Sequence, residues 1–258
     1  MTELELSPTP AQLTKHAPPQ LSAVSKALHA TYTPPRDNGV ESNLLVLMHG
    51  DTDKPFADLA QSLNLPQTCT LSLRAPERIP LLEEEAYQWW TSFTELGELI
   101  PNPNPTKTVA LLVDVIKHLT APSPGPAWRP DQIHFFGFAQ GGSCAAELAL
   151  AWSRHVRSQR ASGTCSPNDV TTRTDTELGS LVAVSAPLLS HPSIGAQKSS
   201  TKALIVNRPN EERMISPGSW KKAFETVKQV VLDTDSRQGQ AMLRGQAEWI
   251  HVMRWAIS

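Results

Sequence analysis

The residues with the clearest chemical pattern lie between positions 132 and 150. A short apolar run, Ile133 to Phe138, has the length and composition of a buried strand, and it leads into the pentapeptide GFAQG at 137–141. This spacing is that of G-x-S-x-G, the sharp turn from strand to helix that exposes a nucleophilic serine. At the central position Ala139 carries a methyl group instead of a hydroxyl. The spacing therefore predicts the turn, but the residue that would attack a substrate is missing.

The segment FGFAQGG at 136–142 resembles the FGFSQGG of the acyl-protein thioesterase and phospholipase/carboxylesterase family of α/β-hydrolases. Further stretches agree with this family in the family's own order and extend the resemblance over residues 40–258. They are LLVLMHGDTDKPFADLA at 44–60, LSLRAPERIP at 71–80, the pair Trp89-Trp90, LVAVSAPLL at 181–189, ALIVNRPNEERMIS at 203–216 and QGQAMLRGQAEW at 238–249. The ordered set carries the resemblance, since no single motif is decisive.

The resemblance implies an α/β-hydrolase fold, with a mostly parallel central sheet and helices on both faces. It also implies the family activity, which is hydrolysis of acyl thioesters and carboxylic esters, including removal of palmitoyl groups from proteins. Such catalysis needs a serine, an acidic residue and a histidine, in that chain order. Here Ala139 stands at the nucleophile position and Gln240 at the base position, and an amide cannot accept a proton near neutral pH. We therefore expect a family member that is catalytically dead or severely impaired.

The other site positions also follow from the resemblance. Glu212 aligns with the catalytic acid, although an exposed glutamate is the alternative. The backbone N–H of Gln140 is one expected oxyanion donor, and the loop that begins with Asp51 is the other. This loop is two residues shorter than in the family, and the charge of Asp51 would oppose an oxyanion. Trp89 and Trp90 either line an acyl pocket or are core aromatics.

Two further interpretations stay open. In the first, the protein is an active carboxylesterase or thioesterase with a displaced triad. Ser143 or Cys144 is then the nucleophile, Glu212 the acid and His251 the base. In the second, the chain comes from a gene copy or a gene model without a function of its own.

Composition bears on the expected partners and compartment. With a net charge of −2 over 258 residues, no nucleic-acid partner is expected. No apolar run reaches the roughly 18 residues that a membrane span needs, so stable membrane insertion is not expected, and no secretory signal is visible. Three unevenly spaced cysteines favour a cytoplasmic protein, and no pattern indicates a metal or another cofactor. The expected partners are an acyl chain, an acylated protein or a small ester; no oligomeric state is predicted.

The elements that would position the site follow in order along the chain. Residues 1–40 are rich in proline and predict a flexible N-terminal extension, which leaves residues 41–258 for the hydrolase domain. Residues 153–179 are polar and predict a mostly disordered insertion. Strands are predicted at 43–48, 69–73, 133–138, 181–185, 202–207 and 229–232, and helices at 53–65, 109–119, 143–152, 220–227 and 247–257.

Overall fold

The computed structural model describes residues 15–36, 39–63, 65–80, 82–162, 176–193, 195–211, 215–232 and 241–256. The strands are β1 (His29–Thr33), β2 (Asn43–Met48), β3 (Thr68–Arg74), β4 (Glu77–Arg78), β5 (Tyr87–Gln88), β6 (Ile133–Phe138), β7 (Ser180–Val184), β8 (Lys202–Asn207) and β9 (Val227–Val231). The helices are α1 (Lys54–Ser62), α2 (Thr106–Leu119), α3 (Gln140–Ala161), α4 (Pro217–Ala223) and α5 (Gly245–Ala256).

The main sheet is seven-stranded, in the order β1-β3-β2-β6-β7-β8-β9. Its strands run parallel apart from β1, which pairs antiparallel with β3. Strands β4 and β5 form a separate two-stranded ribbon. Because parallel strands end at the same side of a sheet, the loops after β2, β6, β7 and β8 meet at one edge, which we call the carboxyl edge. The opposite side, where these strands begin, is the amino edge.

Apolar side chains pack on both faces of this sheet. Successive residues of β2 alternate between the two cores, so Val46 faces one cluster and Leu47 the other. Helices α2 and α3 cover the first face, where Leu112 is buried, and α1 and α5 cover the second, where Phe56 and Val252 are buried. None of the described helices is both long and apolar enough to span a membrane. The predicted mostly parallel sheet with helices on both faces is confirmed.

The predicted N-terminal extension is wrong for part of its length. Strand β1 lies inside it and pairs with β3, and the Tyr32 hydroxyl donates a hydrogen bond to Cys69 Sγ over 3.0 Å. Leu21 and Leu28 are also buried. These apolar anchors, set among prolines, hold the segment against the edge of the sheet. Residues 1–14 of the predicted extension lie outside the described residues.

The predicted insertion at 153–179 is also wrong at its start. Helix α3 continues to Ala161, because Trp152, Ser153 and Val156 are still buried on its inner face. The Ser153 hydroxyl donates a hydrogen bond to the carboxylate of Glu177, which lies near the end of the predicted insertion, shortly before β7. The polar composition of residues 153–161 therefore led to the prediction of an insertion where the second half of α3 lies. Residues 163–175 lie outside the described residues.

Candidate active site

The carboxyl edge brings four chain segments together. His49 follows β2, Ala139 follows β6, Ser185 follows β7 and Arg208 follows β8, and these four strands are neighbours and parallel. The N–H of Ala139 donates to the carbonyl of Val184 over 2.9 Å, which fixes the end of β6 beside the end of β7. In open α/β sheets ligands bind at this edge. The predicted site therefore lies where the fold permits a catalytic centre.

The turn at Ala139 has the strained backbone that the G-x-S-x-G spacing predicts. Ala139 has φ 50° and ψ −120°, an unfavourable combination for a residue with a Cβ, and it directly precedes α3. Two glycines are required by close backbone contacts. A Cβ at Gly137 would lie 2.5 Å from Gly142 Cα, and a Cβ at Gly141 would lie 2.2 Å from the carbonyl oxygen of Met48. The turn is thus built as in a serine hydrolase, with a methyl group at its apex.

The neighbouring hydroxyl and thiol do not replace the missing serine. Ser143 is buried, and its Oγ donates to the carbonyl of Pro187 over 2.6 Å. Cys144 is fully buried, and this burial raises the pKa of its thiol, so that the reactive thiolate is disfavoured. Neither side chain has a histidine within hydrogen-bond distance among the described residues. Both belong to the packing of α3 against its surroundings.

A buried carboxylate at this edge belongs to Glu211. Its Oε2 accepts hydrogen bonds from the Ser185 hydroxyl and from the backbone N–H of Arg208, each over 2.9 Å. The side chain is buried, and within the described chain Oε1 has no hydrogen-bond partner. Glu211 therefore has one carboxylate oxygen held in position and one unengaged.

The sequence interpretation placed the acid one residue later, at Glu212. Glu212 and the base position, Gln240, both lie outside the described residues. The family pattern at this loop is HGxxD, whose last residue is the acid. If its first residue is aligned with Asn207, the last residue of β8, the acid position falls on Glu211 instead of Glu212. Ser185 was missed because it is a small residue after a strand, and its positive φ of 51° has no sequence signature.

A buried ion pair at the same edge joins Arg208, after β8, to Glu248 of α5. Arg208 is almost inaccessible, and its two terminal nitrogens donate to the two carboxylate oxygens of Glu248, each over 3.1 Å. One of these nitrogens also donates to the carbonyl of Met242. Glu248 lies in the first turn of α5, and its carboxylate accepts the N–H of Arg244. Arg208 thus fixes the closing helix to the loop that contains Glu211. The role of Arg208 has no local sequence signature.

His49 is the histidine nearest in sequence to the predicted oxyanion loop, and it is not free to act as a base. Its Nε2 accepts the backbone N–H of Ala75 over 2.8 Å, so the ring proton is on Nδ1. Burial lowers the pKa of His49 to about 4, which keeps the ring neutral at neutral pH. Its carbonyl accepts the indole N–H of Trp89 over 2.8 Å. His49 is therefore a structural residue of the loop.

The loop after His49 lies directly on the turn. A Cβ built at Gly50 would lie 3.4 Å from Ala139 Cβ, so the shortened loop still contacts the apex. Asp51 has an exposed side chain, and its carbonyl accepts the N–H of Tyr87. The oxyanion roles of the Asp51 loop and of the Gln140 backbone remain predictions.

Gln140 and the tryptophan pair form part of the wall beside the turn. The Gln140 side chain accepts the backbone N–H of Trp89 over 2.9 Å and donates to Ser92 Oγ. Trp89 is fully buried and Trp90 is buried at 7% exposure. These contacts favour the core-aromatic alternative over an open acyl pocket. Among the described residues, no group of three His, Cys, Asp or Glu side chains is arranged to hold a metal ion.

Fold and turn together define an α/β-hydrolase. The family model described as phospholipase/carboxylesterase matches residues 35–203, and the chain belongs to this family. A protein named as an uncharacterized hydrolase of Mycosarcoma maydis is 35% identical over 225 residues, which cover 85% of this chain and 77% of that protein. A second one, from Schizosaccharomyces pombe, is 34% identical over 110 residues, 40% of this chain and 44% of that protein.

Solved structures show the same fold at much lower identity. The esterase PE8 superimposes with a TM-score of 0.64 at 15% identity, and the match covers 89% of this chain and 98% of that one. The acyl-protein thioesterase 2 of Zea mays gives a TM-score of 0.59 at 16% identity, with 89% and 97% covered. At these identities the likeness concerns the fold alone.

Proposed function

We propose that this protein is a non-catalytic or severely impaired member of the phospholipase/carboxylesterase family, which binds a ligand or partner instead of hydrolysing an ester through Ala139. The observation that carries the proposal is the conformation of this residue. A non-glycine residue in this backbone region costs about 1–3 kcal/mol. Ala139 retains this strained backbone conformation, which in a serine hydrolase exposes the nucleophilic hydroxyl, but alanine has no hydroxyl to expose.

The lack of a base supports the same proposal. The base position is Gln240, and His49 has its accepting nitrogen engaged by Ala75. Loss of a triad member usually leaves roughly 10³- to 10⁴-fold catalysis over water, against about 10⁶-fold more for an intact triad. With both the nucleophile and the base replaced, little hydrolysis through this turn is expected.

The surroundings of the Glu211 loop also support the proposal. The loop is packed against the buried pair of Arg208 and Glu248, and within the described chain Oε1 of Glu211 has no hydrogen-bond partner. Gln240 stands at the base position. An engineered or recent change from Ser to Ala alone would leave the rest of the catalytic apparatus intact, which is not the pattern here.

The displaced-triad alternative receives no support from the geometry. Ser143 donates to a backbone carbonyl, Cys144 is a fully buried thiol, and His251 lies in α5 on the other face of the sheet from α3. The ligand class that the family relation suggests is an acyl chain, an acylated protein or a small ester. The buried free thiols of Cys69 and Cys144 favour a reducing compartment such as the cytoplasm.

A fluorophosphonate probe tests the proposal, because it reacts with an activated serine. We expect the purified protein to remain unlabelled. The matched variant is Ala139→Ser with Gln240→His, which should become labelled and gain ester hydrolysis if the remaining site is sound. Stoichiometric labelling of the unmodified chain that disappears in Ser143→Ala would overturn the proposal and support the displaced triad.

A further inference from the structure

A second concave site lies at the amino edge of the sheet, away from Ala139. It has a volume of about 930 Å³, within the roughly 300–1,000 Å³ of small-molecule sites. It opens over the beginnings of β2, β6 and β7, on the face covered by α1 and α5. We call it the amino-edge groove.

The floor of the groove is apolar. Leu45, Phe136 and Val182 come from three adjacent strands, and Leu63 closes one side from the end of α1. On the other side the ring of Trp249 in α5 stacks on Phe136, with 5.2 Å between ring centroids. Covering such a surface with a hydrocarbon chain stabilises a complex by about 25 cal/mol for each Å² removed from water.

A row of polar side chains crosses the same groove. His134, Ser180 and Lys202 are register partners on β6, β7 and β8, and Asn43 lies beside them on β2. His134 Nδ1 lies 2.9 Å from Ser180 Oγ, and His134 Nε2 lies 3.2 Å from Asn43 Oδ1. Burial lowers the pKa of His134, so this ring is neutral at neutral pH. Since Asn43 Oδ1 is an acceptor, Nε2 carries the ring proton and Nδ1 accepts the Ser180 hydroxyl. The centre of the row is therefore satisfied internally, and the row presents a positive charge at its Lys202 end.

The order serine, histidine and asparagine matches a nucleophile, a base and an orienting amide. Ser180, however, lies within β7 and lacks the turn into a helix that supplies oxyanion donors at Ala139. The row is therefore better suited to binding than to catalysis.

The charges at the rim favour an anion. Lys198 and Lys202 are exposed, and neither forms an ion pair with a described residue. Two acidic side chains of the lining are already engaged, since Asp131 pairs with Arg129 and Glu177 binds Ser153, Ser199 and Arg157. Among the acidic residues of the described lining, Glu225 remains as a negative charge against the two lysines.

We propose that the amino-edge groove binds an amphipathic anion, with a single apolar chain on Leu45, Phe136 and Val182 and an anionic head group at Lys202. The site is separate from the turn at Ala139, so it does not depend on whether that turn is catalytic. A fatty carboxylate and an alkyl phosphate share this chemistry, and the two probes distinguish the natural head group.

Quenching of tryptophan fluorescence by a bromine-labelled fatty carboxylate tests the proposal, because Trp249 and Trp255 line the groove. We expect saturable quenching of the full chain, which falls in Trp249→Phe. Lys202→Gln should weaken binding about fivefold, and the matched control Lys221→Gln, an exposed lysine outside the lining, should leave it within about twofold. A brominated alcohol of the same length should bind about fivefold more weakly than the carboxylate.

Val182→Trp fills the floor and should abolish saturable quenching, with the thermal unfolding curve checking that the variant folds. The proposal is overturned by absent saturation, by equal binding of alcohol and carboxylate, or by binding that neither Val182→Trp nor Lys202→Gln reduces. Saturation that appears only after deletion of residues 1–14 would also overturn it, because the chain itself would then occupy the groove. Tighter binding of a brominated alkyl phosphate than of the carboxylate would assign a phosphate head group.

Discussion

The hydroxyl of Ser185 donates to Oε2 of Glu211 over 2.9 Å, at the carboxyl edge of the sheet. The same oxygen accepts the N–H of Arg208, so the carboxylate is oriented from two sides. In a catalytic triad the acid's role is to orient an imidazole. Here Ser185 and the Arg208 backbone orient Glu211 without an imidazole from the described residues, so the packing of this loop is sufficient to hold the carboxylate.

Glu211→Ala should lower the free energy of unfolding by about 1–3 kcal/mol. The Ser185 hydroxyl and the Arg208 N–H would both lose their hydrogen bond to a buried carboxylate, and hydrogen bonds to charged groups contribute about 1.5–3 kcal/mol. Urea denaturation measures the change. Glu84→Ala, at an exposed position, is the matched control and should stay within about 0.5 kcal/mol. Equal effects of the two substitutions would contradict the role given to Glu211.

The assignment of the acid has a separate kinetic test. In the variant carrying Ala139→Ser and Gln240→His, Glu211→Gln should reduce ester hydrolysis by a factor on the order of 10² or more, because the new imidazole loses its orienting charge. Glu212→Gln in the same background should have a much smaller effect. Rates with a chromogenic short-chain ester decide between them, and a reversed order would restore Glu212 as the acid position.

The pair formed by Arg208 and Glu248 should couple strongly. Removal of one partner takes the opposite charge away from the other, so Arg208→Met and Glu248→Leu should each cost about 3–5 kcal/mol. The double variant should recover much of that loss, since two apolar side chains then fill the same space. A double-mutant cycle by urea denaturation measures the coupling. Additive single effects would show that the ion pair does not fasten α5.

Most of the fold was predictable because its strands are strongly apolar. The bounds of β6 and β8 agree with the prediction to the residue, since most of each strand is apolar and buried on both faces. The end of the chain was harder to interpret. In place of the predicted helix at 220–227 the structure has α4 (Pro217–Ala223), which ends before β9 begins at Val227. Phe224 stacks on Trp220 and forms a β-bridge with Ser199, a contact distant in sequence that the apolar spacing does not predict.

The site was predictable where backbone geometry fixes residue type. The turn at Ala139 follows from glycine spacing, and steric contacts of Gly137 and Gly141 explain that spacing. Glu211 and Arg208 could not be separated from surface charges by composition, because each is buried only through a partner distant in sequence. Long-range pairing of this kind leaves no local pattern.

Ala139→Gly should not destabilise the protein, which would be unusual for a buried alanine. Glycine adopts the observed φ of 50° and ψ of −120° without a Cβ clash, and this gain offsets the greater entropy of the unfolded chain. The expected change in unfolding free energy is between zero and about +1 kcal/mol. Ala146→Gly, buried inside α3, is the control and should cost about 1 kcal/mol or more. A comparable loss in both variants would argue against strain at the turn.

Stability should fall as the pH is lowered, because His49 is buried and neutral. Its pKa is about 4 in the folded protein and 6.5 in the unfolded chain, so between these values the unfolded chain binds the additional proton. The contribution of His49 is complete above pH 6.5 and is lost by about pH 4, a change on the order of 3 kcal/mol. Urea denaturation over this range measures it.

His49→Gln should reduce this slope, because glutamine keeps an acceptor for the Ala75 N–H but does not titrate. Part of the slope should persist, since burial also lowers the pKa of His134. His29, an exposed histidine of β1, provides the control, and His29→Gln should leave the pH profile unchanged. An unaltered profile in His49→Gln would mean that the proton taken up on unfolding belongs to other groups.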